Sequence, residues 1–194
     1  MIRIIKNKVK IDLLFLIVLI ISANLHLIGF SFSLSLIFDF DAVLKGEIWR
    51  LFTFPFVHVS FYHFILDVSA FFIFYLYLFE NTSKKFLYIL SSSCFSLLAA
   101  LAASPDVYYI GLCGLSGIDH GLMAVVGLKL MENKESKKEG LIIYLLVLIK
   151  SCYETFLGNM VFDFVHINFL GTPIGACHAG GVLGGTIAYA LTKK

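Results

Sequence analysis

Residues Gly111–Gly121 read GLCGLSGIDHG, and the apolar run LMAVVGLKLM follows at once. Ser116 stands in the centre of this stretch, in the tetrapeptide GLSG at Gly114–Gly117. A second small-residue segment, Gly171–Gly185, reads GTPIGACHAGGVLGG and holds His178. Each segment opens an apolar run of the kind that crosses a membrane. Helices in lipid associate by close packing, so glycine seams between them are expected. A serine and an ionisable histidine among those glycines ask for another reason, because polar groups at that depth are costly.

Composition supports lipid as the solvent. The chain has 194 residues, of which 59% are hydrophobic and only 14% charged, with a mean hydropathy of +0.91. A soluble domain carries roughly a quarter of its residues as charges. An integral membrane protein is therefore expected, with the lipid bilayer as its first partner. No basic stretch interleaved with aromatics points to nucleic acid. Cys94, Cys113, Cys152 and Cys177 match no CxxC spacing and read mostly as small buried residues.

Taken in order, the pattern predicts six spans in a single all-α membrane domain over residues 1–194. Arg3, Lys6, Lys8 and Lys10 precede a first span at Ile11–Ile28, read as a retained helix and not a cleaved leader. Residues 29–57 are too charged and irregular to span, and their many aromatics, with Trp49, suit the membrane interface. Pro55 marks a boundary before the second span, His58–Phe79, which carries His58, His63 and Asp67. Further spans are expected at Phe86–Ala103, Leu115–Met131, Gly140–Phe156 and Pro173–Leu191. The fifth contains Lys150 and Glu154 at i,i+4, and residues 158–172, with His166, read as a mixed outer loop.

The charges orient the bundle. With the N-terminus cytoplasmic, 12 of the 15 basic residues fall on inner segments, leaving Lys45, Arg50 and Lys150 outside. This positive-inside pattern puts both termini in the cytoplasm and requires an even number of spans. The halves carry no internal repeat, which weighs against an inverted-repeat transporter.

Orientation gives depth. His63 lies ~7–8 Å into the second span, Ser116 near the outer end of the fourth and His178 about five residues into the sixth. The three share one shallow layer toward the outer leaflet. Gly117 and Gly121, and the pairs Gly180–Gly184 and Gly181–Gly185, would let helices approach until a short serine side chain reaches an imidazole. Gly114, two residues before the serine, permits a tight turn with exposed amides, which suit an oxyanion. His120, four residues after Ser116, competes with His178 for the role of base. Against it, a base on the serine's own helix encloses little around a substrate. His63, His178 and Asp67 could in principle ligate zinc, yet no H-E-x-x-H is present, so neither metal nor other cofactor is expected.

These residues resemble the rhomboid family of intramembrane serine proteases, over nearly the whole chain. The resemblance implies a six-helix rhomboid-like bundle, Ser116 as nucleophile, and His178, followed by Ala179 and Gly180, as general base and acid. It implies that His63 and the backbone N–H of Ser116 bind the oxyanion, and that Trp49–Arg50 shapes the first loop. Family members commonly carry asparagine four residues after that histidine, where this chain has Asp67. An ionised Asp67 would repel an oxyanion, and only its protonated form could donate a hydrogen bond to it. GLSG-x-x-HG at Gly114–Gly121 and K-x-x-Y-E at Lys150–Glu154 are similar to the rhombosortase branch. That likeness implies a membrane-anchored substrate with a C-terminal Gly-Gly-type sorting tail, in the plasma membrane of a bacterium. The other readings are a catalytically silent relative that binds single-helix clients, supported by Asp67, and a small transporter whose Asp67 and Glu154 carry protons.

Overall fold

The computed structural model describes residues 2–29, 35–158, 161 and 174–193. Its first helix, α1 (Ile2–Ala23), starts before the expected span and stops short of Ile28. Asn24 ends it. The Asn24 side chain turns back to donate to Ile20 O at 2.7 Å and across to Phe56 O at 2.6 Å. A 3-10 turn at Leu25–Ile28 follows and closes on Gly29 at φ +102°.

The connection expected to be irregular holds two short helices, α2 (Phe40–Leu44) and α3 (Arg50–Thr53). Asp39 caps α2, accepting from Ala42 N at 2.8 Å. Trp49 is exposed and donates from Nε1 to Ser35 O at 3.1 Å, while Arg50 reaches Glu47 and Ile37 O, both at 2.7 Å. A 3-10 turn at Phe54–Phe56 surrounds Pro55, and the chain bends by 93° into α4 (Phe61–Tyr77). Here the expected boundary is corrected: Ser60 caps α4 by accepting from His63 N at 3.2 Å, so His58 lies before the helix.

Asn81 likewise caps α5 (Thr82–Ala103), accepting from Lys84 N at 2.9 Å, which starts this helix before the expected Phe86. The short α6 (Val107–Ile110) precedes α7 (Ser116–Leu130), α8 (Lys137–Leu157) and α9 (Gly175–Thr192). Most of the expected outer loop, including His166, and Pro173 lie outside the described residues.

Helix α7 is central, packed on α4, α5, α8 and α9. The glycines explain how four helices fit around it. A Cβ on Gly121 would stand 2.6 Å from Gly181 O, and one on Gly117 would stand 3.2 Å from Cys177 O. A Cβ on Gly180 would meet Ala99 Cβ at 2.6 Å, and one on Gly184 would meet Ser91 C at 2.8 Å. The two glycine pairs of α9 therefore serve different partners. Gly181 and Gly185 face α7, while Gly180 and Gly184 face α5.

The fold is all-α, and its outside is apolar. Phe79, Tyr109 and Phe156 are almost wholly exposed, and α8 presents Leu141, Ile142, Leu145, Leu146 and Ile149 outward. Soluble monomers rarely expose contiguous surfaces of this kind. Among the described residues, α5 and α8 are long and apolar enough to cross a membrane, and the bent α3–α4 pair makes a third if counted as one span. Helix α7, at 15 residues, is shorter than the ~20 that a perpendicular crossing requires. The cysteines are unpaired, and the expectation that they are mostly buried holds only for Cys177; Cys94 is exposed.

Candidate active site

The turn ahead of Ser116 is fixed from outside. Phe38 and Leu112 exchange backbone hydrogen bonds of 3.0 and 3.1 Å, and Gly114 N donates to Phe54 O at 3.2 Å. Gly114 has φ +101°, and a Cβ there would lie 2.6 Å from His63 Nε2 and 2.9 Å from Asp67 Oδ2. Both backbone and space thus call for glycine. Ser116 is the first residue of α7, so its N–H has no partner within the helix.

That N–H donates to Asp67 Oδ2 at 3.1 Å. His63 Nε2 lies 3.1 Å from the same oxygen, and His58 Nε2 lies 3.5 Å from it. The family resemblance implied that Ser116 N–H and His63 converge on one point, and Asp67 Oδ2 lies 3.1 Å from each of them. His58 is held in turn by Asn24, whose Oδ1 accepts from His58 N at 2.8 Å and lies 3.1 Å from His58 Nδ1. His26 Nε2 meets His58 O at 2.8 Å, so the turn that follows α1 braces this cluster.

On the other side of Ser116 stands a second cluster. Ser116 Oγ lies 3.9 Å from Cys177 Sγ, and among the described residues no hydrogen bond joins it to His178. The His178 and His120 rings are stacked, with centroids 4.0 Å apart and planes 6° from parallel. His120 Nδ1 donates to Ser116 O at 2.7 Å, and His120 Nε2 accepts from Lys150 Nζ at 2.9 Å. Both nitrogens of His120 are therefore engaged away from the serine hydroxyl. His178 Nδ1 lies 2.7 Å from Glu154 Oε2, and Lys150 Nζ reaches both Glu154 oxygens at 2.7 and 2.8 Å.

The three side chains that could in principle ligate zinc, His63, Asp67 and His178, are not brought together. His63 and Asp67 belong to one cluster and His178 to the other. His120, Glu154 and His178 do place ligand atoms within 4.8 Å of one another. The Lys150 ammonium lies among those atoms, so a cation there would meet a charge of its own sign.

Reading the sequence singled out Ser116, His178, His63 and Asp67, but gave no role to Asn24, His58 or Cys177. Lys150 and Glu154 were visible as an i,i+4 pair without a third partner. One available signal is that ionisable or amide side chains inside spanning helices are functional by default.

A helical membrane fold with a serine at a buried helix start, between two histidine–carboxylate clusters, defines a class with a polar centre held among membrane helices. The family model described as the rhomboid domain matches residues 45–194, and the chain belongs to the rhomboid family. No individually curated protein matches it. Its fold is consistent with the intramembrane protease superfamily.

Proposed function

We propose that this protein is an intramembrane serine endopeptidase of the rhomboid type. Ser116 Oγ attacks the scissile carbonyl while His178 takes its proton, and the imidazolium then protonates the leaving amine. His63 and Ser116 N–H receive the oxyanion once Asp67 is protonated or turned away. Water resolves the acyl-enzyme from the outer side. The chain forms a six-span bundle with both termini cytoplasmic in a bacterial plasma membrane. The likeness to the rhombosortase branch makes the substrate a membrane-anchored protein, cut near the outer face within a transmembrane or Gly-Gly-type C-terminal tail.

One observation carries the reading beyond family membership. The start of α7 and the first turn of α9 meet, with Ser116 Oγ on Cys177 and the His178 ring stacked on the imidazole that bonds Ser116 O. Labelling with a fluorophosphonate or isocoumarin probe in bilayers tests it. The wild type is expected to label, while S116A and H178A do not. Unchanged labelling of S116A refutes the assignment of the serine.

A second reading has its own observation. Asp67 Oδ2 engages the very donors an oxyanion needs, as would suit a catalytically silent relative that binds single-helix clients. It predicts that neither the wild type nor D67N labels.

A further inference from the structure

We infer that Glu154 is a positioning residue for His178, so that the base works as the middle member of a Ser–His–Glu relay and not as half of a bare dyad. The inference rests on the reading of Ser116 and His178 as nucleophile and base. It adds the residue that sets which nitrogen of the base carries the proton.

The directions of the hydrogen bonds follow from chemistry alone. Ser116 O can only accept, so His120 Nδ1 must carry the hydrogen in their 2.7 Å contact. In neutral His120 the Nε2 is then an acceptor, as its 2.9 Å contact with the Lys150 ammonium requires. Lys150 spends its other donors on Glu154, at 2.7 and 2.8 Å, and balances the charge of that carboxylate. Glu154 is 2% exposed and also accepts from Val161 N at 3.2 Å. Its Oε2 faces His178 Nδ1 at 2.7 Å, and an ionised carboxylate only accepts, so Nδ1 bears the hydrogen. Neutral His178 then keeps its lone pair on Nε2, the nitrogen that must take the serine proton.

Several features argue for a purpose beyond filling space. Burying a carboxylate is expensive unless it is paired and fully hydrogen-bonded. Here Lys150 supplies the pairing charge, and among the described residues the other side-chain hydrogen bonds of Glu154 and Lys150 end on His178, His120 and Val161 N. The stacked His120 ring fixes the plane of His178, and Glu154 fixes its rotation. When Nε2 takes the proton, Glu154 stays ionised and stabilises the imidazolium, while Nδ1–H remains where it was. Proton count is conserved: one hydrogen moves from Ser116 Oγ to His178 Nε2, then to the leaving amine.

The test uses the full chain in bilayers or micelles with E154Q, which matches glutamate in shape and removes its charge. Two readouts are taken: the rate of fluorophosphonate labelling, and the ring-nitrogen spectrum of 15N-histidine protein, with His178 assigned through H178N. Expected is an Nδ1–H tautomer at His178 in the wild type, a mixed or Nε2–H ring in E154Q, and labelling slowed about 10²-fold or more. E154D, which retains the charge, should recover the Nδ1–H signal and part of the rate; it also stands in if E154Q fails to fold by thermal melting. An Nε2–H ring in folded wild type, or wild-type labelling by folded E154Q, overturns the inference. Wild-type protein that holds the Nδ1–H tautomer but never labels overturns the protease reading and leaves Glu154 as an orienting residue without a reaction.

Discussion

Ser116 stands between two clusters built from the same parts. Toward α4 lie Asp67, His63 and His58; toward α8 and α9 lie Glu154, His178 and His120. Each sets one buried carboxylate among two imidazoles. They differ in what the carboxylate touches. Glu154 contacts His178 at Nδ1 and has Lys150 to balance it. Among the described residues, Asp67 contacts the Ser116 N–H itself, and its ionisable partners are histidines. A carboxylate behind an imidazole supports the charge that develops during acyl transfer; one on the oxyanion donors opposes it. The difference shows that residue type alone does not assign a role in a buried site.

The strongest way to break the contrast is to remove the serine between the clusters or the histidine that Glu154 contacts. S116A and H178A are each expected to lower turnover of a membrane-anchored substrate by about 10⁴-fold or more, measured by product release in proteoliposomes. The next largest effect is the slowing expected of E154Q, read on the same substrate as in probe labelling. D67N should go the opposite way, holding or raising kcat by up to roughly tenfold, because an amide donates where the carboxylate only accepts. Opposite signs for E154Q and D67N sharpen the comparison; equal losses would show that both acids have the same role.

Smaller effects test the scaffold that brings the clusters together. Gly121→Ala places a methyl 2.6 Å from Gly181 O, and should cost about 1–3 kcal/mol, read as a lowered Tm in detergent. The smallest effect is expected far from the serine, at the α4–α5 turn. There the Glu80 carboxyl is held below the ordinary range: burial opposes this, but Lys129 at 2.5 Å and Lys84 at 3.5 Å outweigh it. Its contribution is present above the unfolded value of about 4.3 and is lost as the pH falls through the lower folded one. K129M should cost under ~1 kcal/mol at neutral pH, and the difference from wild type should shrink in acid.

Much of the fold was legible because lipid imposes a simple code. Long apolar runs set the helices, and Gly117, Gly121, Gly181 and Gly185 marked a seam before their partners were known. Caps were less legible. Ser60 and Asn81 moved two helix starts, and Asn24 ended a third inside an apolar run, because a side-chain oxygen or amide can satisfy backbone groups that hydropathy ignores.

By itself the sequence determined the solvent, the helical class, and the short roster of polar residues that lipid would not tolerate without a reason. It could not assign those residues to partners, since partnership depends on helix rotation and on contacts far apart in the chain. Only the tertiary structure set Glu154 against His178 across 24 positions and Asp67 against Ser116 across 49. The physical reason is the short reach of a hydrogen bond. A spacing of four residues predicts a shared helix face, but a contact near 3 Å between different helices is decided by close approach, as at Gly175, where a Cβ would stand 2.6 Å from Glu154 O, and at Gly114, where one would stand 2.9 Å from Asp67 Oδ2.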